Sequence, residues 1–211
     1  EAPHREGPAT LSLPFDIDAR VQEEGLCSWI HIYDTETGEE LRRERVPKAW
    51  ITHVQFHPYN SDLILYNHEW PSFCGIRRMW LWDGTHHQAP RTIKEGRSLH
   101  DWVCHEMWDS AGENIIYHGQ YADSGLYYVG RIHLADGSVT EIPLPENYRC
   151  YGHFTLSSQD LLVSDGYYQA PLENPEKAQW ISLQIPDWES GQLSWIPLEK
   201  HDSSWATQDA H

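Results

Sequence analysis

A repeat of about fifty residues is the feature of this sequence that most restricts its fold. Each unit opens with an aromatic anchor in an alternating apolar segment. The anchors are Trp29, Trp80, Tyr128 and Trp180, and they lie 51, 48 and 52 residues apart. Each anchor segment leads into a polar turn, which reads D-T-E-T-G, W-D-G-T, A-D-G-S or D-W-E-S-G. Such turns close hairpins between strands of period two, so the sequence predicts a series of β-hairpins.

Repeated units of this length, without helical periodicity, predict an all-β chain with a β-propeller fold. About four blades fit into residues 1–211, which form a single partial domain of a larger propeller. The predicted blades cover 27–72, 76–120, 125–167 and 178–211, the last of them incomplete. A β-solenoid is the structural alternative, although its repeats are usually much shorter.

A histidine also recurs at one phase of the repeat. His53, His105 and His153 each stand three residues before a large apolar residue, and they lie 52 and 48 residues apart. In a propeller, equivalent residues near the start of each innermost strand converge on the central channel. One such histidine alone more often caps a turn, but three in phase favour a group of imidazoles at the channel.

The charge of the chain restricts its partners. The formal net charge is −17, and a field of that sign repels nucleic acid and anionic membranes, so neither is expected as a partner. An anionic substrate needs local positive charge from a metal or from arginines. The sequence has no apolar run of membrane-spanning length and no visible signal peptide, which predicts a cytoplasmic protein. Its four cysteines show no C-x-x-C spacing and are expected to be free thiols.

Four segments resemble the oligogalacturonate lyase family. They are HVQFHPYNSDLILYNHEWP at 53–71, RRMWLWDG at 77–84, CHEMW at 104–108 and SSWATQDAH at 203–211. Members of this family are seven-bladed β-propellers that bind a divalent metal, typically manganese. They cleave short galacturonic acid oligomers by β-elimination, which gives 4,5-unsaturated products in pectin breakdown. The resemblance implies the same fold, activity, substrate and cofactor for this chain.

The resemblance also implies roles for individual residues. His68, in NHEWP, matches the catalytic histidine, and His105, in CHEMW, matches a metal ligand. Gln208 and His211 match the first two members of the family's Q-x-x-H-x-H ligand motif, whose last histidine would fall two residues beyond His211. Trp70 stands where the family typically has glycine.

The chemistry of β-elimination accounts for these residue types. The proton to be removed is α to a carboxylate and is very weakly acidic, so a metal bound to that carboxylate is expected to stabilise the anion. A neutral histidine can accept the proton near neutral pH. Arg77 and Arg78 are candidates for binding substrate carboxylates, because the guanidinium fork binds them bidentately. His53 and His153 are expected to contact the substrate, and Asp165 is expected to belong to a turn.

Other functions are compatible with the sequence. A propeller can be a scaffold or a sugar-binding module without catalysis, because fold does not determine function. Such a protein needs no metal ring at the channel. A propeller of the kind that precedes a peptidase would require a hydrolase domain downstream. A hydrolase triad around His201 and Ser203 is disfavoured, since the sequence contains no G-x-S-x-G elbow.

Overall fold

The computed structural model describes residues 23–69, 77–90, 99–144, 148–149, 152–168 and 178–201. Trp70, Gln208 and His211 lie outside these ranges, and so do Cys74 and Cys150. Cys27 and Cys104, the two cysteines inside them, are free thiols, as expected. Over the same ranges, no helix has the length and apolar character needed to cross a membrane.

The described residues form sixteen β-strands. In chain order they are β1 (Cys27–Tyr33), β2 (Glu40–Pro47), β3 (Ile51–His57), β4 (Asn60–His68), β5 (Met79–Trp82), β6 (His87–Gln88), β7 (Trp102–Trp108), β8 (Asn114–Gln120), β9 (Tyr127–His133), β10 (Val139–Pro143), β11 (Tyr148–Arg149), β12 (Phe154–Leu156), β13 (Leu162–Ser164), β14 (Tyr167–Tyr168), β15 (Ala178–Asp187) and β16 (Gln192–His201).

These strands build a series of antiparallel sheets that follow one another along the chain. The first sheet pairs β1 with β2, the second has the order β3-β4-β5-β6, and the third has the order β7-β8-β9-β10. In the fourth sheet, β15 pairs with β13, β14 and β16, while β12 pairs with β13 and β11 with β14. The prediction of an all-β chain is confirmed.

Apolar side chains hold each sheet against the next. One cluster joins Ile30 and Val46 of the first sheet to Tyr66 and Trp82 of the second. A second cluster joins the second sheet to the third and contains Leu65, Leu81, Val103, Ile115, Tyr117 and Tyr128. A third cluster joins the third sheet to the fourth and contains Ile116, Val129, Phe154 and Leu162. The first strands β3, β7 and β12 are neighbours. Sheets that stack in chain order with their first strands side by side have the arrangement of consecutive propeller blades.

The predicted hairpin turns have the expected chemistry. The Asp34 carboxylate accepts hydrogen bonds from the backbone N–H groups of Glu36 and Thr37, at 2.9 and 2.8 Å, and Gly38 follows with a φ of 73°. The turns that contain Gly137 and Gly191 show φ values of 68° and 70°. Glycine adopts this left-handed conformation without steric cost, so these turns close readily.

The sheets and the sequence repeat differ in phase. The anchors Trp80 and Tyr128 lie in β5 and β9, which are the third strands of their sheets. Residues 64–67 pair with 79–82, although the predicted blade boundary between 72 and 76 separates them. A period measured along a sequence does not show where each sheet begins, because every pair of neighbouring strands has turn residues between its members. The pairing of β4 with β5 and of β8 with β9 sets that phase.

Candidate functional site

The inner strands β3 and β7 carry matching distortions near their N-terminal ends. The pairing of β3 with β4 shifts between Thr52 and Gln55, and the pairing of β7 with β8 shifts between Cys104 and Met107. Within these bulges, His53 and His105 have φ values of 51° and 50°. A left-handed backbone is uncommon for residues other than glycine, and a bulge redirects a side chain away from the ordinary alternation of a strand. The two bulges therefore set the directions of the two imidazoles.

Three imidazoles form a row across neighbouring sheets, which we call the histidine row. The rings of His53 and His105 are 6.2 Å apart between centroids and 14° from parallel. The rings of His105 and His153 are 5.3 Å apart and tilted by 46°. The structure thus brings together the three histidines that share a phase in the repeat, with His105 in the centre.

His118 supports His105 from the neighbouring strand β8. The Nδ1 atom of His105 lies 2.7 Å from Nε2 of His118, and the two rings stack with centroids 4.9 Å apart. His118 is fully buried and also stacks on Phe154. Burial, together with the neighbouring His153 and His53, lowers the pKa of His105 to about 4. His105 is therefore a neutral imidazole at neutral pH, which is the form that binds metals.

Cys104 lies beside these two histidines. The Cys104 thiol and the ring nitrogens of His105 and His118 lie within 4.8 Å of one another, a spacing that can hold a metal ion. Burial raises the pKa of the Cys104 thiol to about 11, although the nearby Arg78 acts in the opposite direction. The thiol is therefore protonated at neutral pH, and in that form it is a poor metal ligand.

A carboxylate orients the third histidine of the row. Asp165 Oδ2 lies 3.2 Å from Nδ1 of His153, and its other oxygen accepts the backbone N–H of the same residue. Carboxylates hold the rings of metal-binding and substrate-binding histidines in this way. Asp165 has this role in addition to ending a strand, whereas the sequence indicated a turn residue alone.

A buried ion-pair network lies next to the row, between the second and third sheets. The Arg78 guanidinium donates to both oxygens of Glu69, at 3.1 and 3.3 Å, and to Glu106 at 3.2 Å. Glu106 is 1% exposed, and Asn67 donates to its second oxygen. Burial raises the pKa of Glu69, but Arg78 and the hydroxyl of Thr52 outweigh it, and the net pKa is lowered. Two carboxylates and one guanidinium leave the network with a negative charge.

The two arginines that were predicted to bind the substrate lie directly before β5, and their role stays a prediction. Arg78 directs its fork to Glu69, so a substrate carboxylate would have to displace that side chain. Arg77 is half-buried, and its carbonyl oxygen accepts the indole N–H of Trp80 at 2.8 Å.

His68 lies at the same end of the second sheet as His53. Its side chain is on the face of β4 that points to the first sheet, opposite to the face that carries Asn67. Its backbone is opposite Ile51 of β3, so it is at the end of the sheet that holds His53. Its ring stacks on Trp80 at 5.3 Å and lies 6.0 Å from Tyr66, whose side chain faces the first sheet. Burial lowers the pKa of His68 to about 4, with a further contribution from His87.

The predicted ligands Gln208 and His211 lie outside the described residues, so of the expected metal set the structure places His105. The sequence did not predict the contact of His118 with His105 or that of Asp165 with His153. The signal for His118 lies in the strand register. It faces Cys104 across the hairpin in the way that Asn67 faces Thr52, directly beside the row histidines His105 and His53.

One solved structure among known proteins has a similar fold. No protein-family model matches the chain, and no curated protein matches it. Among solved structures, an oligogalacturonate lyase in complex with manganese superposes with a TM-score of 0.64 at 22% identity, over 87% of this chain and 45% of that one. TolB from Acinetobacter baumannii superposes with a TM-score of 0.37 at 11% identity, over 84% of this chain and 48% of that one.

These findings define the class of protein: the chain has a β-propeller fold. It spans about half the length of the solved structures that it resembles. The manganese-bound lyase shares this fold with the chain.

Proposed function

We propose that this chain is part of a metal-dependent lyase that cleaves short oligogalacturonides by β-elimination. The observation that carries the proposal is the position of His105, a neutral imidazole in the centre of the histidine row, supported from behind by His118. The likeness of the fold to a manganese-bound oligogalacturonate lyase supports the same activity.

The residues present suit a divalent cation. Nδ1 of His105 is occupied by His118, so Nε2 is the ring nitrogen that would hold the metal. The adjacent network of Glu69, Glu106 and Arg78 adds a negative charge that favours a cation. Imidazole together with a harder oxygen donor is compatible with manganese, and Gln208 and His211 are proposed as further ligands beside His105. A bound cation would supply Lewis-acid stabilisation of the substrate carboxylate.

The remaining steps depend on the side chains of this chain. His53 and His153 are proposed to contact the sugar on either side of His105. His68 is proposed to accept the proton that lies α to the carboxylate. Its pKa of about 4 keeps it neutral at neutral pH, and the stacking on Trp80 fixes its ring. An anionic sugar beside the ring raises that pKa toward the range in which a general base is effective.

A sugar-binding propeller without catalysis is the second candidate, and the low pKa of His68 favours it. A general base works best when its pKa lies near the working pH, and a group with a pKa of about 4 is a weak base. In that case the histidine row would bind galacturonides and release them unchanged.

Digalacturonate and Mn²⁺ distinguish the two candidates when they are added to the complete protein. We expect the ultraviolet absorbance of a conjugated 4,5-unsaturated product to rise with time. The rate should fall by roughly 10²- to 10⁴-fold in His68→Ala, the usual contribution of a general base. His86→Ala is the matched control, because His86 is exposed in an outer turn. Binding without absorbance, or full activity in His68→Ala, would contradict the lyase mechanism.

A further inference from the structure

Cys104, His105 and His118 form a compact group of potential metal ligands at the back of the histidine row. The Cys104 sulfur and one ring nitrogen of each histidine lie within 4.8 Å of one another. We propose that this group, which we call the thiol site, binds a thiophilic divalent cation of the zinc type, and that this cation competes with Mn²⁺ for His105. The competition rests on the proposed function, whereas the thiol site itself does not.

A single hairpin builds the thiol site. Cys104 of β7 pairs with His118 of β8, and paired residues of antiparallel strands point to the same face. The register shifts directly after Cys104, and the bulge carries His105 with a φ of 50°. Its Nδ1 atom thereby lies 2.7 Å from Nε2 of His118. All three ligands come from β7 and β8, so the site does not depend on how the sheets are packed.

His118 is already held in the position of a ligand. It is fully buried, and its ring stacks between those of His105 and Phe154. A zinc ion lies about 2.0–2.1 Å from imidazole nitrogens and about 2.3 Å from sulfur, so the two rings have only to separate slightly to admit it. Cys104 and His105 are half-buried, which lets an ion approach from the solvent side.

The second sheet has the same arrangement with different donors. β3 carries a matching bulge at His53, and Thr52 stands at the position of Cys104, with Asn67 opposite it. There the Thr52 hydroxyl donates to the Asn67 carbonyl oxygen at 2.8 Å. A hydroxyl and an amide are hard donors, whereas thiolate and imidazole are the donors that zinc prefers. The affinity for a thiophilic cation is therefore expected in the third sheet and not in its counterpart.

The charges around the group permit a bound cation. When a thiol coordinates such an ion, the sulfur–metal bond forms and the thiol proton passes to water. The Arg78 guanidinium lies 3.8 Å from the Cys104 sulfur and opposes a second positive charge. Glu69 and Glu106 both bind Arg78, however, and they leave the network negative. Three protein ligands leave the fourth zinc position to water.

Competition with Mn²⁺ follows from the single lone pair of a neutral imidazole. Manganese at Nε2 of His105 requires the ring proton on Nδ1, where it donates to His118. A cation at Nδ1 requires that proton on Nε2. One neutral ring cannot bind both ions, so each ion should lower the affinity for the other by the same factor.

Titration of the complete, reduced and metal-depleted protein with Cd²⁺ tests the thiol site, because a cadmium–thiolate bond gives a charge-transfer band in the ultraviolet. Cys104→Ser should bind Cd²⁺ at least about tenfold more weakly than the wild type. His118→Asn, which copies the donor of the second sheet, should weaken the binding similarly. Cys27→Ser is the matched control and should behave as the wild type, because Cys27 is a half-buried free thiol in the first sheet.

A band in Cys104→Ser or His118→Asn that saturates at the same Cd²⁺ concentration as in the wild type would overturn the thiol site. A band that is weakened equally in Cys27→Ser would do the same.

Repeating the Cd²⁺ titration in saturating Mn²⁺ tests the competition. We expect the band of the wild type to require at least about tenfold more Cd²⁺. A band that Mn²⁺ leaves unchanged, in a protein that calorimetry shows to bind Mn²⁺, would overturn the competition. A protein that binds no Mn²⁺ would contradict the proposed function instead, and the Cd²⁺ band would still decide whether the thiol site exists.

Discussion

The inner rim of the sheets and their outer turns both use left-handed backbone, but with different residues. In the outer turns, Gly38, Gly137 and Gly191 adopt positive φ, and nothing lies within 4 Å of the position where a Cβ would be. At the inner rim, His53 and His105 adopt the same conformation. A residue with a Cβ pays roughly 1–2 kcal/mol for it. The turns thus close without strain, whereas the rim retains strain where the imidazoles meet, as functional sites commonly do.

The ion pairs at the inner rim and those on the outer side of the sheets also differ in their exposure to water. At the rim, Glu106 is buried and shares Arg78 with Glu69. On the outer side, Asp62 pairs with Arg42 while its side chain is 66% exposed. Water screens the outer pair but not the inner network, so similar bonds should differ greatly in their effect on stability.

The largest expected effect on stability comes from breaking the inner network. Glu106→Gln turns an amide N–H₂ group toward one of the two buried donors, Arg78 or Asn67, that now bond to the carboxylate, and it should lower the free energy of unfolding by about 3 kcal/mol. Asp62→Asn removes the matching charge outside and should cost less than about 1 kcal/mol. Urea denaturation of the two variants measures both values. Equal losses in the two variants would show that the network is as well hydrated as the surface pair.

Acidification should act on the two buried histidines next. The pKa values of His68 and His105 are lowered to about 4, against 6.5 for an ordinary histidine. Between these values the unfolded chain binds more protons than the folded one, so stability falls as the pH drops from about 6.5 toward 4 and is level above that range. Each histidine should contribute on the order of 2–3 kcal/mol.

Denaturation at a series of pH values tests this expectation. His68→Gln should flatten the dependence of stability on pH by the share of one histidine. His86→Gln should leave it unchanged, because His86 is exposed. A pH profile of His68→Gln that parallels the wild type would mean that His68 is protonated as easily in the folded protein as in the unfolded chain.

The smallest effect concerns backbone strain itself, and its sign is the informative part. His53→Gly should raise the free energy of unfolding by up to about 1 kcal/mol, because glycine adopts a φ of 51° without strain. His31→Gly changes another exposed strand histidine, one whose φ is not positive, and should lower stability by about 1 kcal/mol. Thermal denaturation of both variants measures the difference. A loss of stability in both variants would show that the positive φ of His53 costs the folded protein no strain energy.

Periodic and local features could be predicted from the sequence. The repeat indicated the fold, and the polar turns indicated hairpins. The shared phase of His53, His105 and His153 indicated that their side chains converge. All three features depend on spacing along the chain. The phase of the sheets was not predictable in this way, since it depends on the pairing of β4 with β5 and of β8 with β9.

The partners of the site residues were also beyond local reasoning. His118 reaches His105 through strand register, and Arg78 binds Glu106, which is 28 residues away. The spacing of residues in the sequence predicts neither contact. Arg78 was expected to bind the substrate because of its residue type and its position after the His68 segment. Its ion pairs depend on the packing of the second sheet against the third.

His105 is proposed to hold a divalent cation in the histidine row. Calorimetric titration of the complete, metal-depleted protein with Mn²⁺ tests it most directly, with His105→Ala compared against His86→Ala. We predict that the wild type and His86→Ala bind Mn²⁺ alike, while His105→Ala binds it at least about tenfold more weakly. Binding by His105→Ala as tight as that of the wild type would contradict the account.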